Sequence, residues 1–376
     1  MTPHVRQAGL AVLRVVLVRS IVAAGWRPWR EILLVTAVAT GVLIWRLDAS
    51  AQAPAWELAN PLVPLAALPL GIDGKLTDLK RPPTPERVRL GRWLFFDRRL
   101  SADGTLSCAS CHVPEHAFSE PSAVSTGIRG QKGRRKAPSF INQAWTLYPH
   151  FFWDGRAGSL QEQALGPIAN PIEMGNTYEN MLGTLRRSGY GNYFKEAFGT
   201  DEITKERVAR AITDYERTRM SGNSPWDRWR KKRDESAVSA DVKKGHDLFF
   251  GKAACNQCHL GQNFTDSALH NLGVGWNPRT RKFGDEGRYL VTKEGKDKGA
   301  FKTPTLREVG LHPPFMHDGS VKTLRAVVEL YNRGGIANPY LDPKIQPLNL
   351  TADEIDALVK FLEALRGEGY QDRTPA

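Results

Sequence analysis

All four cysteines of the 376-residue chain fall in two copies of one pattern, Cys108-Ala-Ser-Cys111-His112 and Cys255-Asn-Gln-Cys258-His259. Two cysteines at this spacing reach the two vinyl groups of a haem as thioethers, and the histidine that follows lies under the iron as its proximal ligand. A zinc knuckle or a redox dithiol also uses Cys-x-x-Cys, but here each pair is followed by histidine and no cysteine is left over. The chemistry indicated is two covalent c-type haems, with His112 and His259 as iron ligands.

The repeat extends beyond the two motifs. Gly91-x-x-Leu94-Phe95-Phe96 precedes the first and Gly245-x-x-Leu248-Phe249-Phe250 the second, each an apolar cluster on a predicted helix that packs against its haem. Downstream, Lys136-Ala-Pro138 matches Lys302-Thr-Pro304, and Phe152-Trp153-Asp154-Gly155 matches Met316-His317-Asp318-Gly319. Leu160 and Leu324 each follow five residues after the glycine. A register this long predicts an internal duplication. The expected fold is all-α, two tandem cytochrome c-like domains over 87–225 and 242–370, with a charged connector over 226–241 and an amphipathic helix from Ile203 to Arg219. The same register sets Tyr331, twelve residues past Gly319, against Pro167, twelve past Gly155. A phenolate ligates ferric iron and a proline side chain has no donor, so one haem is expected to be capped and the other open. Read from residue types alone, Met316 is the other candidate for the second iron, because a thioether is the usual distal ligand of an electron-transfer haem. For the first iron, Met174 and Met181 are candidate sixth ligands if the protein is only an electron carrier.

The N-terminal part reads differently. Residues 32–45 are an uncharged apolar run preceded by Arg27 and Arg30, and Ala49-Ser-Ala51 supplies a small-x-small cleavage pattern. Residues 1–53 are therefore expected to be a signal peptide or an N-terminal anchor in the inner membrane, and either places the cysteines in the periplasm. Residues 54–86, with Pro82-Pro83-Thr84-Pro85, read as a linker. The net charge is +12; residues 51–376 hold 46 basic and 38 acidic residues, which favours an acidic partner surface. The basic residues are scattered rather than arrayed for nucleic acid, and none is expected as a partner.

Residues from about 76 to 366 resemble the bacterial di-haem cytochrome c peroxidase and MauG superfamily. The resemblance rests on Leu-Phe-Phe-Asp-Arg-Arg-Leu-Ser (94–101), both haem motifs, the run 152–167, Asn170-Pro-Ile-Glu173-Met-Gly, and Phe301-Lys-Thr-Pro-Thr-Leu-Arg through His317-Asp-Gly-Ser. It implies that His112 serves a peroxidatic haem and His259 an electron-transfer haem, with Trp153 as the tunnelling bridge between them. Gln163 and Glu173 match the distal-pocket pair, Pro167 the proline facing the open iron, and Tyr331 the tyrosine that MauG carries where ordinary peroxidases have methionine. Two departures stand out. The loop Thr126–Pro138 lacks the histidine that caps the peroxidatic iron in family members needing reductive activation, and His116 lies too near His112 to replace it, so the site is expected to be permanently open. Lys136 replaces the asparagine that serves as a calcium ligand in the family; an ammonium cannot ligate a cation but takes its place electrostatically.

The activity implied is peroxide reduction with electrons from the second haem, supplied by a small cytochrome or cupredoxin. The alternative is a MauG-like oxidation of residues on a partner protein, which a phenolate at Tyr331 favours because it stabilises the higher oxidation state. A carboxyl near the first iron, raised in pKa by burial, must move the peroxide proton from one oxygen to the other; Glu173 is the candidate, with Gln163 orienting the peroxide. MauG has a surface tryptophan two residues before its second motif, where this chain has Ala253; Trp226, Trp229 and Trp276 are the possible substitutes. A carrier without peroxide chemistry is the third reading.

Overall fold

A computed structural model describes residues 58–145 and 150–374. The leader expected over 1–53 lies outside them. Ten helices are described: α1 (Pro85–Phe96), α2 (Leu160–Ala169), α3 (Tyr178–Arg187), α4 (Gly191–Phe198), α5 (Lys205–Arg217), α6 (Pro225–Lys232), α7 (Ala240–Phe250), α8 (Tyr289–Thr292), α9 (Leu324–Asn332) and α10 (Ala352–Glu363). Among the described residues no helix is long and apolar enough to cross a membrane.

The helices begin where side chains satisfy their free N–H groups. The Thr84 hydroxyl accepts from Arg87 N ahead of Pro85 in α1, Ser239 accepts from Val242 N in α7, and Thr351 and Glu354 form a reciprocal cap on α10. Helix α1 turns Leu90, Leu94 and Phe95 inward, fully buried against Val208, Ala211, Ile212 and Tyr215 of α5. A side chain on Gly91 would collide with the Ala211 carbonyl, so this glycine lets the two helices touch. The second half repeats the device: Gly245 of α7 lies against the Ala357 carbonyl of α10, and Phe249, Leu358 and Phe361 close a second core.

The described residues are helix-rich, as expected, with two short antiparallel ladders besides. β1 (Leu269–Asn271) pairs antiparallel with β4 (Ala300–Lys302), His270 opposite Phe301, and β2 (Trp276–Asn277) pairs with β3 (Lys282–Phe283). These short ladders satisfy backbone groups in the long loops after the second Cys-x-x-Cys-His turn. The connector expected over 226–241 is also more than a connector. Ser224 and Asp227 cap α6 reciprocally, Trp226 and Trp229 pack on the second core, and α7 already starts at Ala240.

The reason for that docking is an ion pair. Arg307 and Asp227 are both fully buried, and the guanidinium donates to the two carboxylate oxygens at 2.5 and 3.0 Å. It also donates to the carbonyls of Gln262 and Gly71, so the stretch read as a free linker is held down as well. The C-terminal tail returns to the first core, where Tyr370 is buried and Asp372 accepts from Tyr215 and Arg92. Removing one partner of a buried pair strands the other charge, so Arg307→Ala should lower stability by about 3–5 kcal/mol in a denaturant titration. A loss within about 0.5 kcal/mol, the range of ordinary surface substitutions, would contradict that account.

Candidate active site

Each Cys-x-x-Cys-His motif begins as a tight 3-10 turn, Cys108–Ser110 and Cys255–Gln257. In both, the imidazole is fixed by its own loop: His112 Nδ1 lies 3.0 Å from the Phe118 carbonyl and His259 Nδ1 2.9 Å from the Phe264 carbonyl. A carbonyl only accepts, so Nδ1 carries the proton and the Nε2 lone pair is left for a metal. Burial lowers the pKa of both rings, keeping them neutral. It also pushes the Cys108, Cys111 and Cys255 thiols up to about 12, the opposite of the activated thiolate of a redox dithiol.

The first cavity, about 360 Å³, is lined by Cys108, Cys111 and His112 together with Trp153, Gln163, Pro167 and Glu173. Every residue expected at the peroxidatic site therefore meets in one space. Gln163 and Pro167 are one helical turn apart on α2, which Ser159 caps; Glu173 sits in the turn after it, where Gly175 N and Glu173 N both donate to the Asn170 carbonyl. Burial raises the Glu173 pKa above its ordinary value, opposed by the charge of Arg156 and a bond from Asn170. Arg156 also lines the cavity, stacked 3.6 Å over the Phe152 ring. His112 is the only histidine among the lining residues, and Met174 lines the wall too. Met181 is instead packed in the first hydrophobic core, which removes it as a candidate ligand.

The second cavity, about 210 Å³, is lined by Cys255, Cys258 and His259 and by both candidate axial ligands, Tyr331 from α9 and Met316 from the 315–321 turn. Burial raises the Tyr331 pKa, so its phenol is neutral without a metal. Cys258, Asp266 and His270 lie close enough to suggest a metal site, but His270 has no lone pair to give: Asp342 accepts from Nδ1 at 2.6 Å and Asp266 from Nε2 at 2.9 Å. The Asp266 bond first, then the bond with Cys258, raise its pKa to about 10. Each cavity thus offers a c-type haem what it requires, a pair of thiols beside a tautomer-fixed histidine.

Between the cavities stands Trp153, which lines both. Its indole N–H donates to the Lys136 carbonyl at 2.7 Å and its own carbonyl accepts from Lys302 N at 2.8 Å. Lys136 is buried, and its ammonium donates to the carbonyls of His312 and Pro314 at 2.6 and 2.8 Å. At the position where the resemblance expects a calcium ligand there is therefore a tethered cation that already occupies two backbone oxygens, and an ammonium cannot itself ligate calcium.

Glu216 and Lys302 were given no role by the sequence reading, and His317 only a place in the register. His317 is the counterpart of Trp153 in the repeat, buried and stacked 3.5 Å from Phe301; that register was the signal that marked it. Glu216, on the wall of the first cavity, is pushed up to about 8 by burial, and its Oε2 has no partner. Lys302 is lowered to about 8 by burial. Neither Glu216 nor Lys302 has a local sequence signature for its burial.

Comparison with known proteins agrees with this geometry. Residues 85–235 match the family model described as di-haem cytochrome c peroxidase. The methylamine utilization protein MauG of Methylorubrum extorquens is 39% identical over 292 residues, covering 76% of this chain and 80% of that protein. Cytochrome c551 peroxidase of Nitrosomonas europaea is 36% identical over 78% of this chain and 84% of its own length. A crystal structure of a MauG-like protein associated with microbial copper homeostasis superposes with a TM-score of 0.70 at 31% identity, covering 81% of this chain and 95% of that one. Likeness of this degree over three quarters of the sequence makes the chain a member of the di-haem cytochrome c peroxidase and MauG family.

Proposed function

We propose that the two halves are tandem cytochrome c-like domains that hold covalent haems, and that the first reduces hydrogen peroxide while the second delivers electrons across Trp153. The single observation that carries this reading is that Glu173, Gln163 and Pro167 line the cavity of His112, whereas Tyr331 and Met316 line that of His259. The haems, when bound, supply the open iron position for peroxide and the store of electrons. His112 and His259 would hold the irons through Nε2, and the four cysteines would hold the rings as thioethers.

The remaining work falls to side chains. Peroxide must lose the proton of one oxygen and gain one on the other as the bond between them breaks; with two electrons and two protons the products are two waters. Glu173 takes and returns that proton, its pKa raised by burial. Gln163 orients peroxide through its amide, and Pro167 presents no competing donor. Tyr331 would hold the second iron, where its phenolate would stabilise a higher oxidation state, and this supports the MauG-like alternative, oxidation of residues on a partner protein. The apolar run over 32–45 supports export to the periplasm, with a cleaved or retained leader, since covalent haem attachment takes place there.

The diferric protein should show a high-spin, five-coordinate component that is consumed by peroxide. Glu173→Gln should leave that spectrum in place and slow the reaction with peroxide about 10²–10⁴-fold. It should also flatten the acid limb of the rate profile, because in the wild type the rate falls as protonation removes the base, above the ordinary carboxylate range. Two purely low-spin haems would replace this reading by an electron carrier whose first iron is closed by Met174.

At the second iron, Tyr331→Phe should change the optical and spin-resonance spectra, and Met316→Leu should not. The opposite result would assign the ligand to Met316.

The Lys136 ammonium stands in for an inter-haem calcium ion. Chelation with EGTA should therefore leave the thermal midpoint of the wild-type holoprotein unchanged, whereas Lys136→Met, by leaving the His312 and Pro314 carbonyls without a donor, should cost about 1–3 kcal/mol for each. A bound calcium lost to EGTA, with a fall in midpoint, would refute it.

A further inference from the structure

Seven carboxylic side chains are buried among the described residues, and six of them have partners. Asp97 accepts from Tyr190 at 2.8 Å and Glu120 from Ser125 at 2.6 Å. Asp154 pairs with Arg135 at 2.7 Å and Asp227 with Arg307, while Glu308 accepts from Ser221 and from Gly367 N at 2.5 Å each. Asp214 takes three guanidinium groups, those of Arg87, Arg210 and Arg217, within 3.3 Å. The seventh is Glu216. It is 5% exposed, its Oε2 has no hydrogen-bond partner, and it lines the first cavity together with Cys108. A buried polar group left unpaired needs a reason.

Its surroundings do not favour a permanent charge. Glu216 sits in the last turn of α5, where the helix dipole opposes a carboxylate. Beside it on that helix, Arg217 is committed to Asp214, and Arg219 and Tyr215 to Asp372. Helix α1 turns Leu90, Leu94 and Phe95 toward α5, while its Arg87 and Arg92 reach Asp214 and Asp372. Helix α2 adds Ala164 and Pro167 to the cavity wall, and the turn Gln143–Trp145 carries no charge. The first haem motif adds Cys108, whose thiol is raised by burial and then by the charge of Glu216. The other titratable groups on the wall are Cys111, His112 and Glu173; its cations are engaged, Arg135 and Arg156 by Asp154, Arg134 and Lys136 by carbonyls. Burial accordingly pushes the Glu216 pKa up to about 8, opposed by the charge of Arg217.

We propose that Glu216 is the proton partner of the first haem: it binds one proton from solvent when an electron arrives from the second haem across Trp153, and releases it when that electron passes on to peroxide. The physical reason is charge compensation. A ferric haem core bears one net positive charge that reduction removes, and in a low-dielectric interior a carboxyl on the same wall feels the change. With the positive charge present the ionised carboxylate is favoured; once it is gone the neutral acid is. One proton thus accompanies one electron, and the total of two electrons and two protons for each peroxide is unchanged. Glu173 keeps its separate task of moving the proton between the peroxide oxygens. Glu216 acts through the potential of the haem and not on peroxide, which makes it a positioning residue. This rests on the reading that the first cavity holds a haem reduced through the second.

The test is an optical spectroelectrochemical titration of the holoprotein at a series of pH values. Because the reduced form binds the proton more tightly, the reduction equilibrium of the first haem should become less favourable as pH rises through the neutral range, by at most about tenfold for each pH unit, or about 59 mV. Glu216→Gln keeps the shape and cannot ionise, so it should abolish the slope and hold the midpoint near the value that the wild type has at low pH. Glu173→Gln should retain the wild-type slope. In the wild type, the infrared difference spectrum on reduction of the first haem should gain the C=O stretch of a protonated carboxyl, shifted in D2O, and this reads the same event without any variant. A midpoint independent of pH, or the absence of a carboxyl band on reduction, would overturn the proposal. So would a slope as steep in Glu216→Gln as in the wild type, which assigns the proton to Glu173 or to a haem propionate. Both measurements are made without peroxide, so they hold or fail independently of whether the first haem reacts with it.

Discussion

A histidine serves a buried metal only if one ring nitrogen is committed elsewhere, and that constraint organises this chain. Phe118 and Phe264, whose carbonyls take the Nδ1 protons of His112 and His259, both sit at positive φ, 58° and 50°. A left-handed phenylalanine costs of order 1–3 kcal/mol, and the surrounding core must hold it there. Both rings are fully buried, Phe118 against Phe95 and Phe140, Phe264 against Phe249 and Trp226. The helices behind the motifs are therefore part of the site, because they fix the backbone that fixes the imidazole.

The same logic recurs farther along each half. The turns that carry Trp153 and His317 are closed by matching bridges, Phe151 with Ala157 and Phe315 with Val321. Phe152 and Met316 stand at φ 63° and 72° in equivalent places, and Gly155 and Gly319 at 67° and 62°. One backbone device thus projects different chemistry in the two halves. An indole that lines both cavities answers an imidazole stacked on Phe301, and Pro167 answers Tyr331. The backbone is repeated, and the difference in function lies in a few side chains.

Much of this was legible in the sequence because it is local. The Cys-x-x-Cys-His turns, the amphipathic helix near 203–219, and the matching segments that hold Trp153 and His317 all depend on neighbours within a few residues. What was not legible depends on partners far along the chain. Helix α6 looked like a charged connector because Asp227 finds Arg307 eighty residues away. The ladder of β1 with β4 needed a pairing across a long loop, and strand segments of three residues carry no period to read. Lys136 was recognisable as out of place, but the carbonyls of His312 and Pro314 that hold it were not.

The placement of charge around Trp153 limits what that residue does. Its N–H is bonded to a carbonyl, which cannot take the proton an oxidised indole would shed. Two lysines are tied to it through the backbone. Among the described residues Lys136 donates to carbonyls alone, and Lys302, without a carboxylate partner, shares with Trp153 the wall of the second cavity. In a low-dielectric interior such cations make a positive charge on the ring unfavourable. Under the proposed function, a tryptophan so placed would pass electrons between its neighbours without holding an oxidising equivalent for long, which would leave storage to the sites on either side and give the contrast between Pro167 and Tyr331 its weight.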